Sequence, residues 1–311
     1  MNSPASGPAH ESQQSPGYDT ELAATIVICT RSRPAELRAC LEAIARLSPA
    51  PAAVLVVDNS SGDAQTERLA REAGADYVVE TLPGLSRARN RGLRESRTAI
   101  VAYVDDDALP RKDWLGAILG PFADEQVAAV TGNTISSPDG EAASLGRPTR
   151  SLSSVNPLWF EIANFGGLGF GTNMALRKRF CASESLFDER LGRGALIWIA
   201  EESHAFTQLL ARGLVAVHVP AAIVLHPDKP RDVEKEATAS FAYWLLLFRE
   251  FPEHRRDLVR FLLRRLRRKP LSWPRDPLGP GEIINSGFAL KVKAAFAGFA
   301  LFLKAGQSRR R

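Results

Sequence analysis

The sequence predicts an α/β protein: a doubly wound, mostly parallel sheet flanked by helices, followed by a helical, basic C-terminal extension. Three observations predict it. Short apolar, β-rich runs alternate with amphipathic stretches between residues 23 and 105, the pattern of strand–helix–strand units. The runs end in Thr30, Asp58 and Asp105, and open α/β sheets bind ligands at the carboxyl ends of their strands. Charge is uneven: residues 251–311 hold 15 Lys and Arg against 4 Asp and Glu, a net of +11 in a 311-residue chain of +5.

The elements follow in order. Residues 23–29 read as a buried strand. After the polar loop Thr30-Arg31-Ser32-Arg33, Pro34 opens a helix over 34–47, with Leu37, Leu41 and Ile44 on one face. Strands are predicted at 53–57 and 77–79 and just before Asp105, with helices reaching residue 73 and spanning 85–96. Residues 135–169 are rich in Gly, Ser, Pro and Asn and predict a long functional loop. A strand over 170–176, a helix over 198–212 capped by Gly213, and short strands at 214–219 and 222–225 complete the sheet. Beyond residue 230 the chain reads as helical and basic.

Composition sets bounds. The chain is 45% hydrophobic and 24% charged, ordinary for a globular protein. Cys29, Cys40 and Cys181 form no CxxC, which excludes a disulfide framework or zinc ribbon and suits a reducing compartment. Residues 1–22 lack the basic start and apolar stretch of a signal peptide and read as a disordered leader. No run reaches the ~18–20 apolar residues of a spanning helix. The expected organisation is a leader (1–22), a catalytic domain (23–230) and a basic helical region (231–311), placed in the cytoplasm or peripherally on the inner face of the membrane.

The most telling stretch is Val101 to Pro110, where an apolar strand ends in Asp105, Asp106 and Asp107. In extended chain, residues i and i+2 point the same way. Asp105 and Asp107 can therefore aim two carboxylates at one Mg²⁺ or Mn²⁺. A solvated acidic turn is the competing reading.

The ordered set of motifs resembles the inverting family-2 glycosyltransferases of GT-A fold across residues 24–228. The pieces are Cys29-Thr30-Arg31-Ser32-Arg33-Pro34, Val57-Asp58-Asn59-Ser60-Ser61, Leu85-Ser86-Arg87-Ala88-Arg89-Asn90-Arg91-Gly92 and Asp105-Asp106-Asp107. They continue with Gly169-Phe170-Gly171-Thr172-Asn173, Phe187-Asp188-Glu189-Arg190, Glu201-Glu202 and His226-Pro227. The resemblance implies a Rossmann-like sheet and transfer of a sugar from a UDP- or dTDP-sugar to a hydroxyl acceptor: a glycan, a lipid-linked molecule or a small molecule. It implies nucleotide-sugar contacts at Thr30, Arg31, Arg33, Asp58, Arg87, Asn90, Arg91, Asp105 and Asp106, with Asp58 on the base. It places the divalent cation, Mn²⁺ or Mg²⁺, on Asp105, Asp107 and His226. Glu202 takes the place of the base, supported by Glu201, although the family's usual second residue is Asp. A helix N-terminus would lower its pKa. Gly171, Asn173 and Trp198 fall in the acceptor region, which the glycine-rich segment 165–171 floors. His10, His204, His218 and His254 have no comparable context.

The tail interleaves Phe241, Trp244, Leu245, Phe248, Leu258, Phe261, Leu262 and Leu266 with arginines from Arg255 to Arg268. Such a face predicts an anionic membrane surface as partner. A homodimer contact, or packing on the catalytic domain, is the competing role. No nucleic-acid module is recognisable. The rival functions are a sugar nucleotidyltransferase, which needs a Gly-rich basic first loop absent here, and a degenerate membrane-associated scaffold.

Overall fold

The computed structural model describes residues 22–136, 148–165, 167–181, 185–228, 232–266 and 288–308. Most of the predicted leader, Gly166 of the glycine-rich segment, the boundary at 230, Arg267, Arg268 and residues 309–311 lie outside them. Nine strands form one sheet: β1 (Ala24–Thr30), β2 (Ala53–Asp58), β3 (Asp76–Val79), β4 (Ile100–Asp105), β5 (Leu109–Pro110), β6 (Val127–Ile135), β7 (Arg150–Leu152), β8 (Asn173–Arg177) and β9 (Val215–Leu225). Their order is β3-β2-β1-β4-β8-β6-β9-β5, with β7 also on β9.

The parallel expectation holds for β3-β2-β1-β4. There β8 enters antiparallel to β4 and to β6, so the sheet as a whole is mixed. The parallel register aligns the strand ends that matter: Thr30 stands opposite Asp58, and Cys29 opposite Asp105. Three loops therefore leave the sheet along one rim.

Among the described residues nine α-helices flank the sheet. They are α1 (Pro34–Ile44), α2 (Ala64–Glu72), α3 (Leu85–Glu95), α4 (Trp114–Leu119), α5 (Trp159–Phe165), α6 (Glu201–Ala211), α7 (Val233–Glu250), α8 (Arg255–Leu266) and α9 (Phe288–Ser308). Strand periodicity splits the core. Ile26 and Ile28 face a layer with Leu37, Leu41, Trp114 and Ile118. Val27 faces the opposite layer with Ala88, Leu93, Phe160, Phe206 and Leu209, as the two-residue period requires. Pro34 occupies the first turn of α1, and the Asp63 carboxylate caps α2 through the Gln65 and Thr66 N–H groups.

Several boundaries differ from the sequence expectation. Residues 135–169 contain β7 and α5. Residues 214–225 form one bulged strand, not two. The helix predicted from 198 begins at Glu201, because Ala200 takes a left-handed conformation (φ 69°) that breaks the helical run.

The C-terminal helices belong to the body. Ala242, Tyr243, Leu246 and Leu247 of α7, Leu258 and Phe261 of α8 and Ala305 of α9 are buried in the second core layer. Helix α9 runs parallel to α7: Lys293 pairs with Glu234 at 2.7 Å, and Arg249 lies 4.7 Å from the Phe302 ring. Among the described residues no helix is long and apolar enough to cross a membrane.

Candidate active site

Asp105 closes β4, and Asp107 follows in the turn that leads to β5. Strand β9 delivers His226, whose N–H donates to the Ile135 carbonyl at 2.9 Å. One ligand atom from each of Asp105, Asp107 and His226 lies within 4.8 Å of the others, and His226 Nε2 is 3.1 Å from Asp107 Oδ1. Two carboxylates and an imidazole fit a hard or borderline divalent cation such as Mg²⁺ or Mn²⁺.

The acids carry their own countercharge. Arg33 donates to Asp107 Oδ2 at 2.8 Å and also grips Asp106. Thr30 Oγ1 donates to the other Asp106 oxygen at 2.8 Å. Burial pushes the Asp106 carboxyl up to about 6, against the pull of Thr30 and Arg33. On the other side stands Arg89, 2% exposed. It donates to Glu201 Oε1 at 2.7 Å and approaches Asp105 Oδ1 at 3.4 Å. Burial alone would lower its pKa, but Glu201 and Asp105 overcome that and keep it charged. Gly171 makes room for it: a Cβ there would lie 2.4–2.6 Å from the guanidinium atoms.

Glu201 and Glu202 open α6. Glu201 is tied to Arg89. Glu202 is half-buried and faces a cavity of about 380 Å³. Its pKa is pushed up to about 8, first by burial and then by Glu201. This corrects the expectation of a lowered value: loss of water and a like charge next door outweigh the helix terminus.

Two further cavities line the rim. One, of about 220 Å³, is walled by Thr30, Arg31, Arg33, Asp105, Asp106, Asp107 and Arg193. The other, of about 620 Å³, runs from Arg31 over Asn59–Asp63 to Thr81 and Pro83.

The family model for glycosyl transferase family 2 matches residues 25–179, which carry Thr30, Arg33, Arg89 and the three adjacent acids. The chain belongs to glycosyltransferase family 2. Among curated proteins it is 33% identical over 143 residues to a pre-mycofactocin glycosyltransferase of Mycobacterium tuberculosis, covering 44% of this chain and 27% of that protein. It is 35% identical over 86 residues to the glycosyltransferase AglE of Haloferax volcanii, covering 26% and 28%. The matches thus span little more than a quarter of these relatives.

Among solved structures, a Pyrobaculum calidifontis mannosyltransferase in complex with GDP-Man and Mn²⁺ aligns with TM-score 0.55 at 18% identity, over 91% of this chain and 75% of that one. Glucosyl-3-phosphoglycerate synthase of M. tuberculosis, in complex with Mn²⁺, UDP and phosphoglyceric acid, aligns with TM-score 0.52 at 19% identity, over 76% and 84%. These likenesses show that the glycosyltransferase has the GT-A fold.

The remaining residues singled out in the sequence divide between rim and core. Arg31 is exposed and lines both rim cavities. Asp58 is fully buried, and its carboxylate accepts from Ser60 N–H, Asp63 N–H and the Tyr77 hydroxyl at 2.7–3.0 Å. It shapes the loop rather than presenting itself to a base. On α3, Arg87 pairs with Glu189 and Arg91 with Glu95. Asn90 is buried and clasps the Phe187 backbone through both its oxygen and its nitrogen. On this face Arg87 and Arg91 are therefore in partly exposed ion pairs and Asn90 is in the core, and Arg89, absent from that expectation, is the α3 arginine that reaches the acids.

Asn173 is also structural. Its amide bonds the Asn133 and Ala222 carbonyls and takes the Trp114 indole N–H at 2.8 Å. Trp198 lies under the Lys235 ammonium, 4.4 Å from the ring centroid, and outside the residues lining the Glu202 cavity. Gly171 serves Arg89, not an acceptor. Trp159 and Phe160 are core residues.

Proposed function

We propose that this glycosyltransferase moves a sugar from a nucleoside-diphosphate sugar, UDP- or dTDP-linked, to an acceptor hydroxyl with inversion at the anomeric carbon. The observation that carries this reading is the placement of one buried arginine. Arg89 ties Asp105, at the rim that would hold the diphosphate, to Glu201, beside the base. The nucleoside would lie over the loop that Asp58 shapes, in the cavity reached by Arg31. Arg31, Arg33 and Arg193 would meet the diphosphate.

Asp105, Asp107 and His226 would hold Mn²⁺ or Mg²⁺, which supplies Lewis-acid stabilisation of the departing diphosphate. Glu202 takes the acceptor proton. One carboxylate base and no second nucleophile give single displacement. Its raised pKa makes it a stronger base than an ordinary carboxylate, with the basic form gained as pH rises through about 8.

Calorimetry with UDP, dTDP and GDP, each with and without Mn²⁺, tests the donor assignment. Metal-dependent binding of at least one supports it. If none of them binds, the degenerate-scaffold reading takes over.

A second reading concerns the C-terminal helices. Phe296, Phe299 and Leu303 lie at i, i+3 and i+7 on α9 and are 75%, 50% and 49% exposed. Val259 and Leu263 of α8 are also exposed. With Lys293 and Lys304 on the same helix, the α9 stripe suits peripheral contact with an anionic bilayer. Flotation with phosphatidylglycerol vesicles tests it: Phe296→Ser with Phe299→Ser should release the protein. Indifference of the wild type to such vesicles would leave the stripe as a contact between copies.

A further inference from the structure

The acids of the rim already hold a cation that belongs to the chain. Arg33 donates to Asp107 Oδ2 at 2.8 Å and grips Asp106 with its other terminal nitrogen. The opposite oxygen, Asp107 Oδ1, lies 3.1 Å from His226 Nε2. One carboxylate thus serves both the guanidinium and the cation site.

Two positive charges on one carboxylate repel each other, most strongly where water is scarce. The Asp106 and Asp107 side chains are 6% and 4% exposed. A guanidinium seated on them therefore lowers the affinity of the site for a second cation.

The two arginines at the acids differ in freedom. Arg89 is enclosed and locked by Glu201 at 2.7 Å. Arg33, at the N-cap of α1, is partly exposed. Its remaining partner, Glu36, is half-exposed and lies 3.4 Å from Nε. Departure of Arg33 strands neither acid. Asp106 keeps the Thr30 hydroxyl at 2.8 Å, and Asp107 passes from one cation to another.

Arg33 also lines the cavity of about 220 Å³, together with Arg31 and Arg193. A diphosphate there offers several anionic oxygens, which suit the planar fork of a guanidinium. The same oxygens attract a divalent ion.

We propose that Arg33 gates the cation site. Its guanidinium neutralises Asp106 and Asp107 and keeps divalent-ion affinity low until a nucleoside diphosphate draws it off the acids. Cation and nucleotide then bind synergistically. This rests on Asp105, Asp107 and His226 being the cation ligands. Linkage makes the synergy reciprocal: each ligand raises affinity for the other by the same factor.

The test titrates Mn²⁺ into the full chain, with and without UDP, and counts free Mn²⁺ by electron paramagnetic resonance. Protein-free samples supply the correction for UDP's own hold on the ion. Arg33→Gln should tighten Mn²⁺ binding without UDP about tenfold and shrink the UDP–Mn²⁺ coupling factor by a similar amount. Arg33→Lys keeps the charge but cannot span two acids, and should fall between wild type and Arg33→Gln. A residue that only braced the loop would weaken both ligands when replaced. Mn²⁺ affinity without UDP that is unchanged or weaker in both variants overturns the proposal, even where the wild type binds Mn²⁺ with UDP. A wild type that binds no Mn²⁺ with UDP overturns the cation-site reading itself, and the gate with it.

Discussion

Two clusters in this molecule each join two carboxylates to one histidine and have opposite meanings. Asp105, Asp107 and His226 converge within 4.8 Å, and so do Asp188, His204 and Glu250. The first opens onto the rim cavity, and its companion cation, Arg33, is on a side chain 34% exposed that can swing aside. In the second, Arg190 is 6% exposed, grips Asp188 and donates to Glu250 at 2.7 Å.

The imidazoles differ too. Gln208 Nε2 donates to the Leu186 carbonyl and contacts His204 Nδ1 at 3.1 Å. On the other side of the ring, Nε2 faces Glu250 at 3.4 Å. His204 is also the more enclosed of the two, its side chain 7% exposed against 17% for His226 at the rim. The second cluster is a latch joining residues 188–190 and α6 to the end of α7. The lesson is that acid–histidine triads are told apart by the mobility of their cation and the exposure of their histidine.

The largest effect should come from Asp107→Ala, which should reduce Mn²⁺-dependent nucleotide binding by more than ~100-fold, since a lone carboxylate holds a divalent ion poorly. Glu250→Gln should leave that affinity unchanged. Calorimetry on both variants breaks the contrast if they behave alike.

Next in size, Glu202→Gln should lower turnover by ~10²-fold or more with donor affinity intact. Wild-type activity should rise with pH to about 8 and the variant should lose that limb. The sign for stability is opposite. Because the folded carboxyl sits near 8 against an ordinary 4.5, the native state binds the extra proton, and stability falls as pH rises between those values. Denaturation at pH 6 and 9 should show the variant losing less than the wild type.

Glu250→Gln should cost about 2–3 kcal/mol of stability in urea at pH 7, because the buried Arg190 loses one of its two carboxylate partners and keeps only Asp188. Burial would raise the Glu250 pKa, but His204 and Arg190 hold it at about 2. Its contribution should therefore persist above pH 4.5 and disappear as pH falls towards 2. The smallest effect should be that of Gly171→Ala. Displacing Arg89 should destabilise by ~1–3 kcal/mol, the usual range for overpacking, and lower turnover. An unchanged melting temperature and rate would remove Arg89 from the centre.

The rim was the most legible part of the sequence. Asp105 and Asp107 announce themselves because an apolar strand ends in acids at i and i+2, and His226 directly follows another apolar strand. Arg89 was hidden among Arg87 and Arg91, which lie on solvent-facing positions. Its signal was available: Leu85, Ala88, Gly92 and Leu93 form the apolar stripe of α3, and Arg89 falls on that stripe. A charge there must have partners. Asp58 and Asn173 misled in the opposite way, since a buried polar residue that completes a turn or braces strands has the same chemistry as one that binds. The direction of β8 was not legible, because a long connector permits either orientation.

The placement of Tyr243, Ser240 and Glu236 on α7 has a consequence for how this enzyme can be rebuilt. The family model ends at residue 179, a span that includes Arg31, Arg33, Arg89 and the acids of the donor rim but not Arg193 or His226. Much of the wall around Glu202 comes from residues 199–243, outside that shared segment. On the proposed reading, the matched segment carries most of the residues that handle the activated sugar, and the elements beyond it carry much of the cavity at the base. Chimaeras exchanging residues beyond 185 between relatives should carry acceptor choice with the graft, provided Arg190 and Glu250 travel together.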